Sequence, residues 1–225
     1  MRVTLTPEEV RVLGSLVEKS VTTPEYYPLS LVAVTAACNQ KSSRDPVVSY
    51  EAPVVQAALH GLRDKHLLWV VSGPDARVPK YKHRFREAFD LSEAEAAALC
   101  LLLLRGPQTA GEIKGRAERL FSFREVAEVE STLEGLSRLE EGPLCVRLPR
   151  QPGRKEARWA HTFAGMPEWT EASRDEEAAA PPHASAPTVL ERLASLEEEA
   201  RSLREEVRAL RADVDELRAF RNALE

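Results

Sequence analysis

The sequence predicts a mainly α chain with small β-wings (α+β). Tandem winged-helix domains occupy residues 1–88 and 89–164, a flexible linker 165–187 and a coiled-coil helix 188–225. Three observations carry this. Between Ala52 and Arg86 an amphipathic helix is followed by two extended runs with a turn between them. The same plan returns in weaker form downstream, and leucines recur every seventh residue from Leu196 onward.

In the first module, Val55, Leu59 and Leu62 are spaced i, i+4, i+7, which places them on one face of a helix over Ala52 to His66 and requires a core beneath it. Leu67 to Val71 is too apolar and β-branched for a loop. Ser72-Gly73-Pro74-Asp75 supplies turn chemistry, and Val78 to Arg84 is a second extended run. Upstream, Thr6-Pro7-Glu8-Glu9 combines a capping residue, a proline suited to the first helical position and a glutamate able to close a capping box. Val10, Leu13, Leu16 and Val17 keep one face of that helix apolar, and Thr22-Thr23-Pro24 stops it. A second helix runs through Leu31, Val32, Val34, Thr35 and Cys38. The polar loop from Asn39 to Pro46 is longer than a helix-turn-helix connection needs, and such length invites a functional explanation.

In the second module, Leu91-Ser92-Glu93-Ala94-Glu95 repeats the pattern of Leu5-Thr6-Pro7-Glu8-Glu9, with Leu99, Leu102 and Leu103 opposite Leu13, Leu16 and Val17. Thr109-Ala110-Gly111-Glu112 starts a short helix, and Val126, Val129, Leu133 and Leu136 form the face of a third. Leu144 to Leu148 and Ala157 to Phe163 form a second wing. This is an internal duplication. Ala96 to Leu104 is apolar all round, which predicts a place between the two modules or at a dimer contact. The run is too short for a membrane span, which needs about 20 residues.

In the tail, Leu196, Leu203, Leu210, Leu217 and Leu224 take heptad position d, and Leu193, Ala200, Val207 and Val214 take position a. Val at a with Leu at d favours a parallel pair of helices. Arg192 with Glu197, Glu199 with Arg204, Glu206 with Arg211, and Asp213 with Arg218 are opposite in sign at the spacing that meets across an in-register parallel homodimer. The alternative is one amphipathic helix folded back on its own domains.

Composition narrows the function. The net charge is −5, yet residues 1–86 carry 12 Lys/Arg against 8 Asp/Glu and the remainder 19 against 28, so the first module is the basic one. Cys38, Cys100 and Cys145 are far apart in apolar company, reading as buried thiols of a reducing cytoplasm. Neither the opening residues nor any later run resembles a signal peptide or a membrane anchor. The five histidines lack zinc-ligand spacing, and no phosphate-cradling glycine loop, nucleophile elbow or HExxH occurs, so neither an enzyme nor a cofactor is expected.

Cys38 to Pro46, Val78 to Phe85 and Leu148-Pro149-Arg150-Gln151-Pro152-Gly153-Arg154-Lys155-Glu156 resemble the signature blocks of the YceH-like family, bacterial proteins of uncharacterised function with two winged-helix domains. The resemblance spans roughly Leu5 to Phe163. It implies the tandem fold and a cytoplasmic bacterial setting, and it supplies no site residues.

Winged helices that read double-stranded DNA place the third helix in the major groove and a basic wing along the backbone. The matching cations are Lys41, Arg44, Arg63, Lys65, Arg77, Lys80, Lys82 and Arg84. The third helix offers only Gln56 and His60 as base readers, so sequence readout is thin. In the second module the third helix is acidic, with Glu125, Glu128, Glu130 and Glu134, and suits a protein partner better than phosphate. Two readings follow: a dimeric DNA-binding regulator, and a dimeric adaptor that docks protein without binding DNA.

Overall fold

A computed structural model describes residues 3–71, 78–150 and 156–166. These residues lie within one compact unit, Met1–Trp169. Residues 72–77, which hold the expected turn Ser72-Gly73-Pro74-Asp75, residues 151–155 of the expected second wing tip, most of the expected linker, and the heptad residues Leu196, Leu203, Val207, Leu210, Val214, Leu217 and Leu224 lie outside the described residues.

The first half runs α1 (Pro7–Thr22), β1 (Leu29–Ser30), α2 (Leu31–Cys38), α3 (Ala52–Asp64), β2 (Leu68–Val71) and β3 (Lys80–His83). A short helix α4 (Phe85–Phe89) leads into α5 (Glu93–Arg105), α6 (Ala110–Ala117), α7 (Val126–Ser137), β4 (Cys145–Arg147) and β5 (Trp159–His161). Each half therefore has three helices followed by an antiparallel strand pair. The order of the first sheet is β1-β3-β2, and β4 pairs with β5 in the second.

Local signals set the helix starts. The Thr6 hydroxyl accepts the Glu9 N–H (3.2 Å), while Glu9 Oε2 accepts the Thr6 N–H (2.8 Å). Ser92 with Glu95 and Thr109 with Glu112 build the same reciprocal cap on α5 and α6. On α3 and α7, Val55, Leu59, Leu62, Val129, Leu133 and Leu136 are fully buried, as their spacing requires, whereas Val126 at the start of α7 is exposed.

Helix α1 is buried at every position from Glu9 to Val17, on both of its faces. Helices α2 and α3 cover one side, and α5 packs on the other. Gly14 makes the second contact: a Cβ there would sit 3.0 Å from the Leu104 side chain and 3.1 Å from Leu103 Cβ. Helix α5 is buried at every residue from Ala96 to Leu104 because α6, α7 and β5 lie on its far side. Its place is thus between the two halves, and the core runs continuously from Leu5 to Phe163. Two further contacts close the halves together. The Leu5 N–H donates to the Phe163 carbonyl (2.7 Å), and the rings of Phe85, Phe89 and Phe163 meet with centroids 5.2 to 5.6 Å apart. Among the described residues no helix is long and apolar enough to cross a membrane.

The long polar loop after α2 is a clasp. Arg44, expected to face phosphate, is instead buried: its side chain is 0% exposed and grips Glu18 on α1 with both ends of the guanidinium, at 3.0 and 2.6 Å. The same guanidinium donates to the Ala37 carbonyl at the end of α2 (2.9 Å) and to Gln40 Oε1 (3.0 Å). Asn39 exchanges two 2.8 Å hydrogen bonds with the backbone of Tyr50, Arg11 donates to the Pro46 carbonyl, and the Asp45 N–H donates to the Leu104 carbonyl at the end of α5 (2.9 Å). The loop thereby ties α1, α2 and α5, satisfying carbonyls that helix ends leave open. Lys65 is also occupied. Its ammonium donates to the buried carboxylate of Glu9 (2.6 Å), which approaches α3 so closely that a Cβ on Gly61 would lie 2.0 Å from Glu9 Oε1.

Two stability outcomes follow from these contacts. Arg44→Ala strands the Glu18 carboxylate and is expected to lower unfolding free energy by about 3 kcal/mol in a denaturant titration. Gly14→Val forces a branched side chain against Leu103 and Leu104 and is expected to cost about 1–3 kcal/mol by the same measurement. Wild-type midpoints in these variants would show the clasp and the close helix approach to be dispensable.

Candidate nucleic-acid interface

Strand β3 is the middle strand of the first sheet, pairing with β1 through Leu29 and Ser30 and with β2 in the register Leu68↔His83, Trp69↔Lys82, Val70↔Tyr81 and Val71↔Lys80. Strand alternation sorts these side chains. Leu68, Tyr81 and His83 are buried, while Trp69, Val71, Lys80 and Lys82 are exposed; Val70, opposite Tyr81 on the edge strand, is also exposed.

His83 anchors the inner face. Its backbone N–H donates to the Tyr27 hydroxyl (2.6 Å), and its ring Nδ1 accepts the Phe85 N–H (3.2 Å). That acceptor role leaves the ring proton on Nε2, which donates to Ser20 Oγ (2.9 Å), and the Ser20 hydroxyl donates in turn to the Val17 carbonyl (2.8 Å). Burial pushes the imidazole down to about 4, so it is neutral at physiological pH. The pair lies beside a cavity of about 290 Å³, but the proton order is the reverse of the one a base needs to activate a serine. Its role is to fix β3 to α1.

The outer face is cationic. Lys80 and Lys82 form no ion pair among the described residues. Arg84, just past the strand, lies 4.6 Å over the Trp69 ring and is half-buried, with Nη1 3.4 Å from the His66 carbonyl. Arg63 on α3 is exposed beside Asp64 (3.3 Å), and Lys41 is exposed on the loop after α2. Arg77 lies outside the described residues. Of the eight candidate cations, the structure thus keeps Lys41, Arg63, Lys80, Lys82 and Arg84 at the surface, wholly or in part, and engages Arg44 and Lys65 internally.

The two base-reading candidates are partly engaged. Gln56 Nε2 lies 3.0 Å from His60 Nε2 and 3.4 Å from the Tyr81 hydroxyl. On the second half, Glu125 and Glu130 are exposed on or beside α7, and Arg138 pairs with Glu134 (3.0 Å). Arg147 and Arg150 are exposed near the second strand pair, whereas Arg158 donates to the Pro107 carbonyl (2.7 Å). No cluster of three His, Cys, Asp or Glu suited to a metal ion occurs among the described residues.

Trp69 is the residue that reasoning from the sequence passed over. Sequence reasoning places it in an extended apolar run and gives it no role of its own. Only its register opposite Lys82 puts it on the outer face, 55% exposed.

Residues 5–154 match a family model described as a protein of unknown function, DUF480. A UPF0502 protein of Opitutus terrae is 53% identical over 161 residues, covering 72% of this chain and 70% of its own. A UPF0502 protein of Geobacter sulfurreducens is 49% identical over 202 residues, 88% of this chain and 90% of its own. One of Klebsiella pneumoniae is 51% identical over 167 residues, 72% and 77% respectively. The match spans both helical halves and the clasp loop between α2 and α3, and by it the chain belongs to the bacterial DUF480 family, the UPF0502 or YceH-like proteins.

Proposed function

We propose that this protein is a non-enzymatic, cytoplasmic DNA-binding dimer built from two winged helices, and that the basic wing of the first half tracks the phosphate backbone of duplex DNA. Three helices followed by an antiparallel ribbon, twice over, support the winged-helix reading. The observation that carries the DNA reading is the outward face of β2 and β3: Lys80 and Lys82 are exposed with no carboxylate partner among the described residues, and Arg84 stands beside them. Cations so placed neutralise phosphates without specifying sequence. The heptad leucines and valines of the tail support a parallel homodimer, which would bring two such wings to one duplex.

A second reading has its own observation. The exposed glutamates around α7 would repel phosphate, so the second half suits a protein partner, and an adaptor that binds protein alone uses both halves this way.

Salt titration of binding to a duplex separates the readings. Four to five phosphate contacts predict log K falling against log salt with a slope of about −4, and Lys80→Ala with Lys82→Ala is expected to flatten it by about 2. Absence of binding at low salt leaves the adaptor, and an unchanged slope in the double variant moves the contact off the wing. For the dimer, Leu203→Ala with Leu210→Ala is expected to give monomers in sedimentation equilibrium while the melting of the helical unit is kept. Dimers that persist would place the interface elsewhere.

A further inference from the structure

We infer that the first wing is a base-stacking platform as well as a phosphate rail, so that the preferred ligand is duplex DNA carrying a single-stranded extension. This rests on the DNA reading above and names the form of nucleic acid the site takes.

The argument begins with Trp69. A large indole at 55% exposure on an edge strand leaves apolar surface in water that folding has not used. Val71, 44% exposed, extends the same apolar strip along β2. Cations surround this strip. Lys82 stands directly opposite Trp69 and Lys80 opposite Val71, while the Arg84 guanidinium lies 4.6 Å over the indole. Arg84 is held in turn toward the His66 carbonyl, which braces the ring in its exposed position.

An aromatic face bordered by cations is the chemistry that binds unpaired nucleotides: the base stacks on the ring, its phosphates meet the lysines, and every base has a π-face to offer. Continuous duplex keeps its bases stacked on one another and can use only the lysines. A hydrophobic peptide could use the indole but gains nothing from three cations. The described strands carry no carboxylate that would welcome a basic one. Charge and aromatic character together therefore select nucleic acid with an open base. Thin base readout on α3, where Gln56 is shared with His60 and Tyr81, agrees with recognition of DNA form over sequence.

The test is fluorescence anisotropy of the full chain with a blunt duplex and with the same duplex bearing an oligothymidine overhang, at low salt. The overhang is expected to bind about tenfold tighter, the effect of stacking one base. Trp69→Ala should remove that advantage and leave blunt-duplex affinity within about twofold, and Trp69→Phe, which keeps an aromatic face, should retain most of it. Equal wild-type affinity for the two duplexes overturns the platform while leaving DNA binding intact. So does an overhang advantage that survives Trp69→Ala, or a loss in Trp69→Ala that is equal on both duplexes. Absence of binding to either duplex overturns the DNA reading itself, and the platform with it.

Discussion

Close approach between α1 and α5 at Gly14 is the contact the remaining structure is arranged around. Helix α5 is apolar on every side and α1 is buried on both of its faces, so neither can sit at the surface of a separate small domain, since burying a leucine side chain contributes roughly 2 kcal/mol that exposure would forfeit. Packed against each other, each covers the face that its own half leaves open. Because Gly14 has no side chain, Leu103 and Leu104 reach the backbone of α1, and Cys100 comes within 3.5 Å of the Gly14 carbonyl. The two halves consequently share one core, and the first strand ribbon is carried on a base larger than its own half supplies.

That base is secured by charge used in an interior role. Arg44 and Glu18, and Lys65 with Glu9, are pairs in which at least one member is buried, and each also satisfies backbone groups at a helix end. Burial of a charge is tolerated when its partner and its hydrogen bonds are all present. The division of labour among cations is therefore physical. Arg44 and Lys65, each paired with a carboxylate on α1, became structural, and Lys80 and Lys82 on the outward face of the ribbon, where neither strand offers a carboxylate, remain available to an outside ligand. His83, though neutral, is structural too: its ring joins β3 to α1 through Ser20, behind the face that carries Trp69, Lys80 and Lys82.

Much of the local architecture is legible from the residues alone. The capping boxes at Thr6, Ser92 and Thr109 and the apolar spacing in α3 and α7 are short-range signals, and their consequences follow from helix geometry. The ribbon partners at Leu68–Val71 and Lys80–His83 are likewise flagged by composition, although the strands are shorter than the apolar runs that announce them. The candidate site was less legible. Lys41, Arg63, Lys80 and Lys82 are exposed and Arg84 is half-buried, whereas Arg44 and Trp69 exchange the places that their residue types suggest.

Sequence by itself determined where helices begin, which faces need covering, and that the second half repeats the first, because caps and apolar periods act within a few residues of their source. Tertiary structure alone decided that Arg44 closes on Glu18, which of its two predicted places α5 takes, and that Trp69 faces outward over Arg84. Arg44 and Glu18 are separated by 26 residues, and the orientation of Trp69 is set by a register in which one step would turn it inward. Contacts at such separation exist only once the chain has packed, so no local pattern encodes them.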